Sequence, residues 1–278
     1  MATGNTEGLM RKRTVALCAA TGLAAGAVLL VPTVTTDTSQ GDTRVLAVSV
    51  NDGRSILLGP TDPVTFPLEV TAEDDSGIRS VGPIGVWGPS YGVLKVGPTQ
   101  CTPTSATVSV CRGTVTVDPM KKDVFNDEAG TWFVDLKVNA NDGDHFVGQT
   151  AAGFSLKRAA RVTGYGIPEQ ATEGQELAVS GWLARAFWSD NKFHGYRNGM
   201  TYLQFRPAGS SLWTTVATAV SDPTGTLTAH VRATASGDYQ WYSPGDKWTG
   251  DATSTSLSVA VAANPAAATD SPGPGVSP

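Results

Sequence analysis

Apolar residues in this chain alternate with polar or small ones over short runs, and a period of two places successive side chains on opposite faces of an extended strand. The runs predict strands at Val45–Val50, Val64–Ala72, Ile84–Trp87, Thr107–Val117, Thr131–Ala140 and Phe146–Leu156. Each is rich in β-branched or aromatic residues and bounded by Gly, Pro, Asp or Asn. Further along, Leu177, Val179 and Leu183 alternate, as do Leu203 with Phe205, Leu227 with Val231, Tyr239 with Trp241, and Leu257 with Val259 and Val261. Turn residues at Glu173-Gly174, Asn198-Gly199, Asp222-Pro223 and Ser236-Gly237-Asp238 punctuate them. No amphipathic helix of useful length occurs beyond the N-terminal segment. Within Thr107–Val117 the phase changes, because Val108 and Val110 set one face and Val115 and Val117 the other. A period of two needs an extra residue to switch face, which predicts a bulge or bend at Arg112 and Gly113.

Composition narrows the class. Hydrophobic residues make up 40% of the chain and charged residues 16%, which supports a core and argues against a disordered polymer. The net charge of −5 carries no basic footprint for nucleic acid. Arg11, Lys12 and Arg13 precede an uncharged run from Thr14 to Val34, the order of a secretory signal. The run is also long enough to approach a membrane span of ~20 residues. Residues 1–34 are therefore read as a signal peptide or a signal anchor, with everything after them outside the cytoplasm. Without that segment the chain keeps 17 basic and 24 acidic residues, a net −7.

Residues 35–43 read as a polar spacer and 262–278 as an Ala/Pro/Gly/Ser tail, both disordered. Between them lie two blocks, 44–157 and 158–261, each the ~100-residue size of a β-sandwich. Cys18 sits within the apolar run without the small residue that precedes a lipoprotein cysteine. Cys101 and Cys111 then form an even pair in an oxidising compartment, and a disulfide follows. A metal site or catalytic thiol at these positions lacks ligand-spaced His or Cys partners.

The second block contains VSGWLARAFWSD (Val179 to Asp190), HGYRNGMTYLQFRPAGSSLWTTV (His194 to Val216), DPTGTL (Asp222 to Leu227) and SGDYQWYSPGD (Ser236 to Asp246). These phrases resemble the Ig-like repeat of secreted and surface proteins of actinobacteria, many of them loosely named calcium-binding proteins. Family members read closer to W-R-Y-S-F-A-G where this chain has Gln240-Trp241-Tyr242-Ser243-Pro244-Gly245. The first block, with AEDDSGI (Ala72 to Ile78) and NANDGD (Asn139 to Asp144), resembles the companion domain often placed before that repeat. The resemblance implies two tandem Ig-like antiparallel sandwiches and supplies no catalytic residues.

Three sets of residues carry candidate chemistry. Glu73, Asp74 and Asp75 in one loop, and Asp142 and Asp144 in another, are dense in the oxygen donors that calcium takes. Neither loop has the EF-hand order, and acidic turns are commonly just solvated. Phe187, Trp188, Phe193 and Tyr196, with His194, crowd one loop and offer rings for stacking on sugars or partner side chains. The competing role is a cap that closes one end of the sandwich. Gly88-Pro89-Ser90-Tyr91-Gly92 matches a nucleophile elbow, but the sequence after it is β-like, where that motif requires a helix. The three histidines, His145, His194 and His230, have no Ser or Cys at a telling spacing.

These features point to an exported, non-enzymatic binding or scaffold protein at the cell surface or beyond it, with no obligatory cofactor and calcium as the candidate ion. Its partner would be a protein or glycan outside the cell, with membrane contact only through an uncleaved N-terminal segment. Alternatives are a carbohydrate or cell-wall module using the loop aromatics, and a secreted hydrolase using a histidine.

Overall fold

The computed structural model describes residues 37–264. The apolar N-terminal segment, Cys18, residues 35–36 of the spacer and residues 265–278 of the tail lie outside the described residues. Among the described residues there is no α-helix, only strands joined by turns and four 3-10 turns, so the chain is all-β as the alternation requires.

The N-terminal half contains β1 (Thr38–Gln40), β2 (Arg44–Val50), β3 (Ile56–Leu58), β4 (Val64–Glu73), β5 (Ile78–Trp87), β6 (Val93–Leu94), β7 (Gln100–Pro103), β8 (Val108–Val117), β9 (Gly130–Ala140) and β10 (His145–Arg158). The C-terminal half contains β11 (Ala160–Tyr165), β12 (Gln170–Thr172), β13 (Glu176–Phe187), β14 (Lys192–Gly195), β15 (Met200–Pro207), β16 (Thr214–Val220), β17 (Thr226–Arg232), β18 (Gly237–Ser243), β19 (Ala252–Thr253) and β20 (Leu257–Ala262).

The two halves repeat one plan. In the first, β2-β4-β8-β7 faces β1-β10-β9-β5-β6, with β3 running parallel to the end of β10. In the second, β13 carries β11, β14 and β17, and faces β12-β20-β18-β15-β16, with β12 parallel to β20. The recurring order, first-second-fifth strands on one sheet and third-sixth-seventh on the other, is that of an Ig-type sandwich. Alternation builds each core. Phe66, Leu68, Val70 and Ala72 of β4 point inward against Trp132, Val134, Leu136 and Val138 of β9. Leu177, Val179 and Leu183 of β13 meet Leu203, Phe205, Tyr239 and Trp241. Each of the larger aliphatic or aromatic side chains contributes about 1.5–3 kcal/mol by leaving water.

Several expectations are corrected. Strand β8 has no bulge at Arg112 and Gly113, since its register with β4 runs unbroken from Glu73 opposite Val108 to Val64 opposite Val117. Ser109, Cys111 and Gly113 fill the inward positions that Val115 and Val117 continue, while Val108 and Val110 face the other side half-buried. Small residues and a disulfide sulfur took core positions that hydrophobicity assigned to valine. Register shifts occur instead on β2, β5, β10 and β16. The spacer is also ordered from residue 37, because Thr38–Gln40 pairs antiparallel with the start of β10, and Ala262, assigned to the tail, closes β20 opposite Thr172. The Cys101–Cys111 disulfide is present, joining directly opposed residues of β7 and β8. A cross-link closing so short a loop stabilises the fold by about 2–3 kcal/mol.

The halves are joined by more than the connecting peptide, and the described residues fall within one compact unit. The hairpin β13–β14 turns through Trp188–Asn191, and Trp188, 0% exposed, enters the hydrophobic cluster of the N-terminal half together with Ala186. Its indole N–H donates to Leu58 O at 3.2 Å and its backbone N–H to Asn126 Oδ1 at 2.8 Å. The Asn191 side chain donates to Pro60 O (2.7 Å) and Pro119 O (3.1 Å). Lys122 reaches across from the other side, donating to Trp188 O, Ser189 O and Asn191 Oδ1. Beneath this seam Trp248 O accepts from Arg158 N, and Arg158 O accepts from Gly250 N, each at 2.9 Å.

Candidate functional site

Three turns converge at the end of the N-terminal sheets remote from that seam: residues 41–43 before β2, 74–77 between β4 and β5, and 141–144 between β9 and β10. Antiparallel pairing brings the second and third together, since Ile78 lies opposite Ala140, and Asn141 N donates to Gly77 O at 3.0 Å. Asp74, Asp142 and Asp144 present carboxylate oxygens within 4.8 Å of one another, and so do Asp42, Asp74 and Asp75. Glu73 stands in neither group, because its carboxylate accepts from Arg44 at 2.8 Å. Asp42 joins the cluster from the segment that reads as a polar spacer. Its signal was the Gly41-Asp42 turn. Gly41 takes φ +77°, and a Cβ there would fall 1.5 Å from Asp144 Oδ2, so glycine is what lets the Asp144 carboxylate lie against this turn.

The centre of the group is Asp74, 1% exposed. Its Oδ2 accepts from Thr43 Oγ1 at 2.5 Å, and its Oδ1 accepts from Ser76 N at 2.9 Å and Ser76 Oγ at 2.5 Å. Burial raises the Asp74 pKa, but the Ser76 and Thr43 hydrogen bonds outweigh it and hold the carboxyl below its usual range. Asp42 goes the other way, raised by desolvation and by the charges of Asp75 and Asp74. The donors are hard oxygens, and Asp42 sits within the repulsive field of Asp75 and Asp74, a set that suits calcium better than a soft metal. The same oxygens also cap turns: Asp144 N donates to Asp142 Oδ1 at 3.0 Å and Asp142 N to Ser76 Oγ at 3.3 Å.

The aromatic loop is arranged differently from a platform. Trp188 is sealed inside the neighbouring sheet pair and has no exposed face for stacking. It closes an end, as a cap would, but of the other half. Phe187, Phe193 and Tyr196 are half-buried, and each has an arginine over its ring: Arg158 at 4.6 Å, Arg161 at 4.3 Å and Arg185 at 4.2 Å, respectively. The Tyr196 hydroxyl donates to the Asp246 carboxylate.

Ser90 lies in the exposed turn between β5 and β6, at φ 53°, with strand on both sides, so the elbow-like pattern is a hairpin turn. His194 Nε2 contacts Asp190 at 2.6 Å, and His230 Nδ1 contacts Glu176 at 3.1 Å, both near the surface. His145 sits at the start of β10 opposite Gln40. An open groove of about 440 Å³ beside β6 and β8 is lined by residues such as Lys95, Thr116, Asp118 and Lys121, away from these histidines.

No family model matches the sequence. No curated protein matches it either. Among solved structures, the chain is similar to the Yersinia pseudotuberculosis adhesin InvE, at 14% identity and a TM-score of 0.27, covering 77% of this chain and 58% of that one. It is similar to the Escherichia coli adhesin FdeC, at 13% identity and a TM-score of 0.35, covering 81% and 66%. A third likeness is to the three N-terminal domains of the bacteriophage RB49 outer capsid protein Hoc, at 12% identity and a TM-score of 0.31, covering 80% and 71%. The chain thus spans less than two thirds of the InvE chain. These scores are low, and the fold assignment rests on the strand order.

Proposed function

We propose that the protein is an extracellular or cell-surface, non-enzymatic scaffold or binding protein whose body is a stiffened pair of Ig-type sandwiches. The observation that carries this reading is the seating of Trp188, which makes one half part of the core of the other. Two sandwiches on a free linker move independently, whereas a shared apolar plug fixes their relation and sets the loop clusters at the two ends a constant distance apart. The Cys101–Cys111 disulfide fits an oxidising compartment. The partner is a protein or glycan outside the cell, held by loops rather than by an exposed aromatic platform.

The test is to express the full chain in a bacterial host and treat intact cells with protease, then screen the purified protein on glycan and surface-protein panels. Protease accessibility from outside, an oxidised Cys101–Cys111 pair and saturable binding to one panel support the reading. Cytoplasmic retention with reduced thiols, or turnover of an ester or glycoside, overturns it.

A second reading is favoured by the convergence of Asp42, Asp74, Asp75, Asp142 and Asp144 from three turns: the acidic end holds a calcium ion, with carbonyls and water completing six to eight oxygens. Calcium would then raise the melting temperature with the logarithm of its concentration above Kd, and a chelator would reverse it. Equal melting curves with and without calcium would leave the cluster as a set of turn caps.

A further inference from the structure

We propose that Arg158 and Arg185, at the seam between the two sheet pairs, enclose a site for a small inorganic anion. Arg158 is 4% exposed, and its Nη2 finds no partner among the described residues. Arg185 Nε is also shut off from water and without a partner among them. Neither arginine makes an ion pair with a carboxylate among the described residues. Both guanidiniums lie against the same ring, with Cζ at 4.6 Å and 5.9 Å from the Phe187 centroid, and Arg185 also lies 4.2 Å from the Tyr196 centroid.

The nearby carboxylate does not satisfy them. Asp246 Oδ1 accepts from the backbone of Trp248 (2.8 Å) and Thr249 (2.7 Å), and Oδ2 accepts from Tyr196 Oη. One carboxylate against two guanidiniums leaves one positive charge in excess. Burial, and then the charge of Arg185, depress the Arg158 pKa to about 10, so the cation persists at neutral pH while its environment opposes it. Packing a guanidinium face on an aromatic ring leaves its in-plane N–H groups free to donate. The buried Thr249 hydroxyl, which faces Asp246 and Tyr196, also makes no well-formed hydrogen bond. A bridging water would satisfy geometry but not charge; an anion satisfies both.

The test uses the full chain at constant ionic strength, replacing sodium gluconate by chloride in one series and by millimolar sulfate in another. A rise in melting temperature of about 2–4 °C with the anion at about five times its Kd, climbing further with the logarithm of its concentration, is the expected result in at least one series. The series that responds tells a halide from an oxyanion. Arg185→Gln should abolish the rise while keeping the wild-type circular dichroism spectrum. In case that variant fails to fold, wild-type crystals soaked in bromide, or in selenate where sulfate is the anion that responds, provide a second readout, an anomalous peak between Arg158 and Arg185. A response no greater than the gluconate baseline in both series, or density for the soaked anion absent from this position, would overturn the proposal.

Discussion

The two ends of the N-terminal sheet pair are closed by opposite means. Strands β4, β9 and β10 run from one end to the other, and at one end their turns meet a tryptophan delivered by the neighbouring half. At the other they meet each other through carboxylates and hydroxyls. The dry end is held chiefly by burial, which has no titrating group of its own. The wet end is held by charge-assisted hydrogen bonds whose strength depends on salt and pH. The same kind of loop therefore serves as a weld at one pole and as a tunable surface at the other.

The sharpest way to break this contrast is Trp188→Ala. Emptying a fully buried indole should cost about 3–5 kcal/mol in urea unfolding and split a shared transition into two, as each half loses its hold on the other. A loss under ~1 kcal/mol would mean that the seam is ornamental. Reducing Cys101–Cys111 tests a restraint that belongs to neither end, and should lower stability by about 2–3 kcal/mol without uncoupling the halves. At the wet end, Asp74→Ala leaves the Thr43 hydroxyl and the Ser76 N–H without their acceptor and should cost about 1–3 kcal/mol. Stability measured against pH sharpens the point. Hydrogen bonds hold the Asp74 carboxyl below its usual range despite burial, and at Asp246 the Tyr196 hydroxyl does the same. A depressed folded pKa gives stability that is complete above the unfolded value and lost as pH falls through the folded one, so their contribution should begin to fall near about pH 4 and vanish only at still lower pH. Asp42, raised by desolvation and its acidic neighbours, runs in reverse and gains as pH falls through its folded pKa. Asp42→Asn should therefore give the smallest effect, a slight rise in melting temperature at neutral pH, and a fall would assign its charge a stabilising partner.

Much of this architecture could be read from local pattern. Phe66, Leu68 and Val70, or Leu177 and Val179, announce their inward face because a buried strand face must be apolar at every second position. The pattern failed at β8, where cross-linking made cysteine a core residue and allowed Val108 and Val110 to face outward. The acidic end was half legible: two loops advertised their carboxylates, but their meeting depends on pairing between β5 and β9, and Asp42 arrives from a segment without any apolar signal. Trp188 could not be placed at all from its neighbours. Its partner Leu58 lies 130 residues away, and no periodicity encodes which core a loop residue enters.

Order of synthesis gives that tryptophan a further significance. Every strand of the N-terminal sheets precedes residue 188 in the chain, so a half that forms in order of emergence forms with its base open to solvent. Only when the following hairpin has emerged is the gap stoppered, and maturation of the first module waits on the arrival of the second.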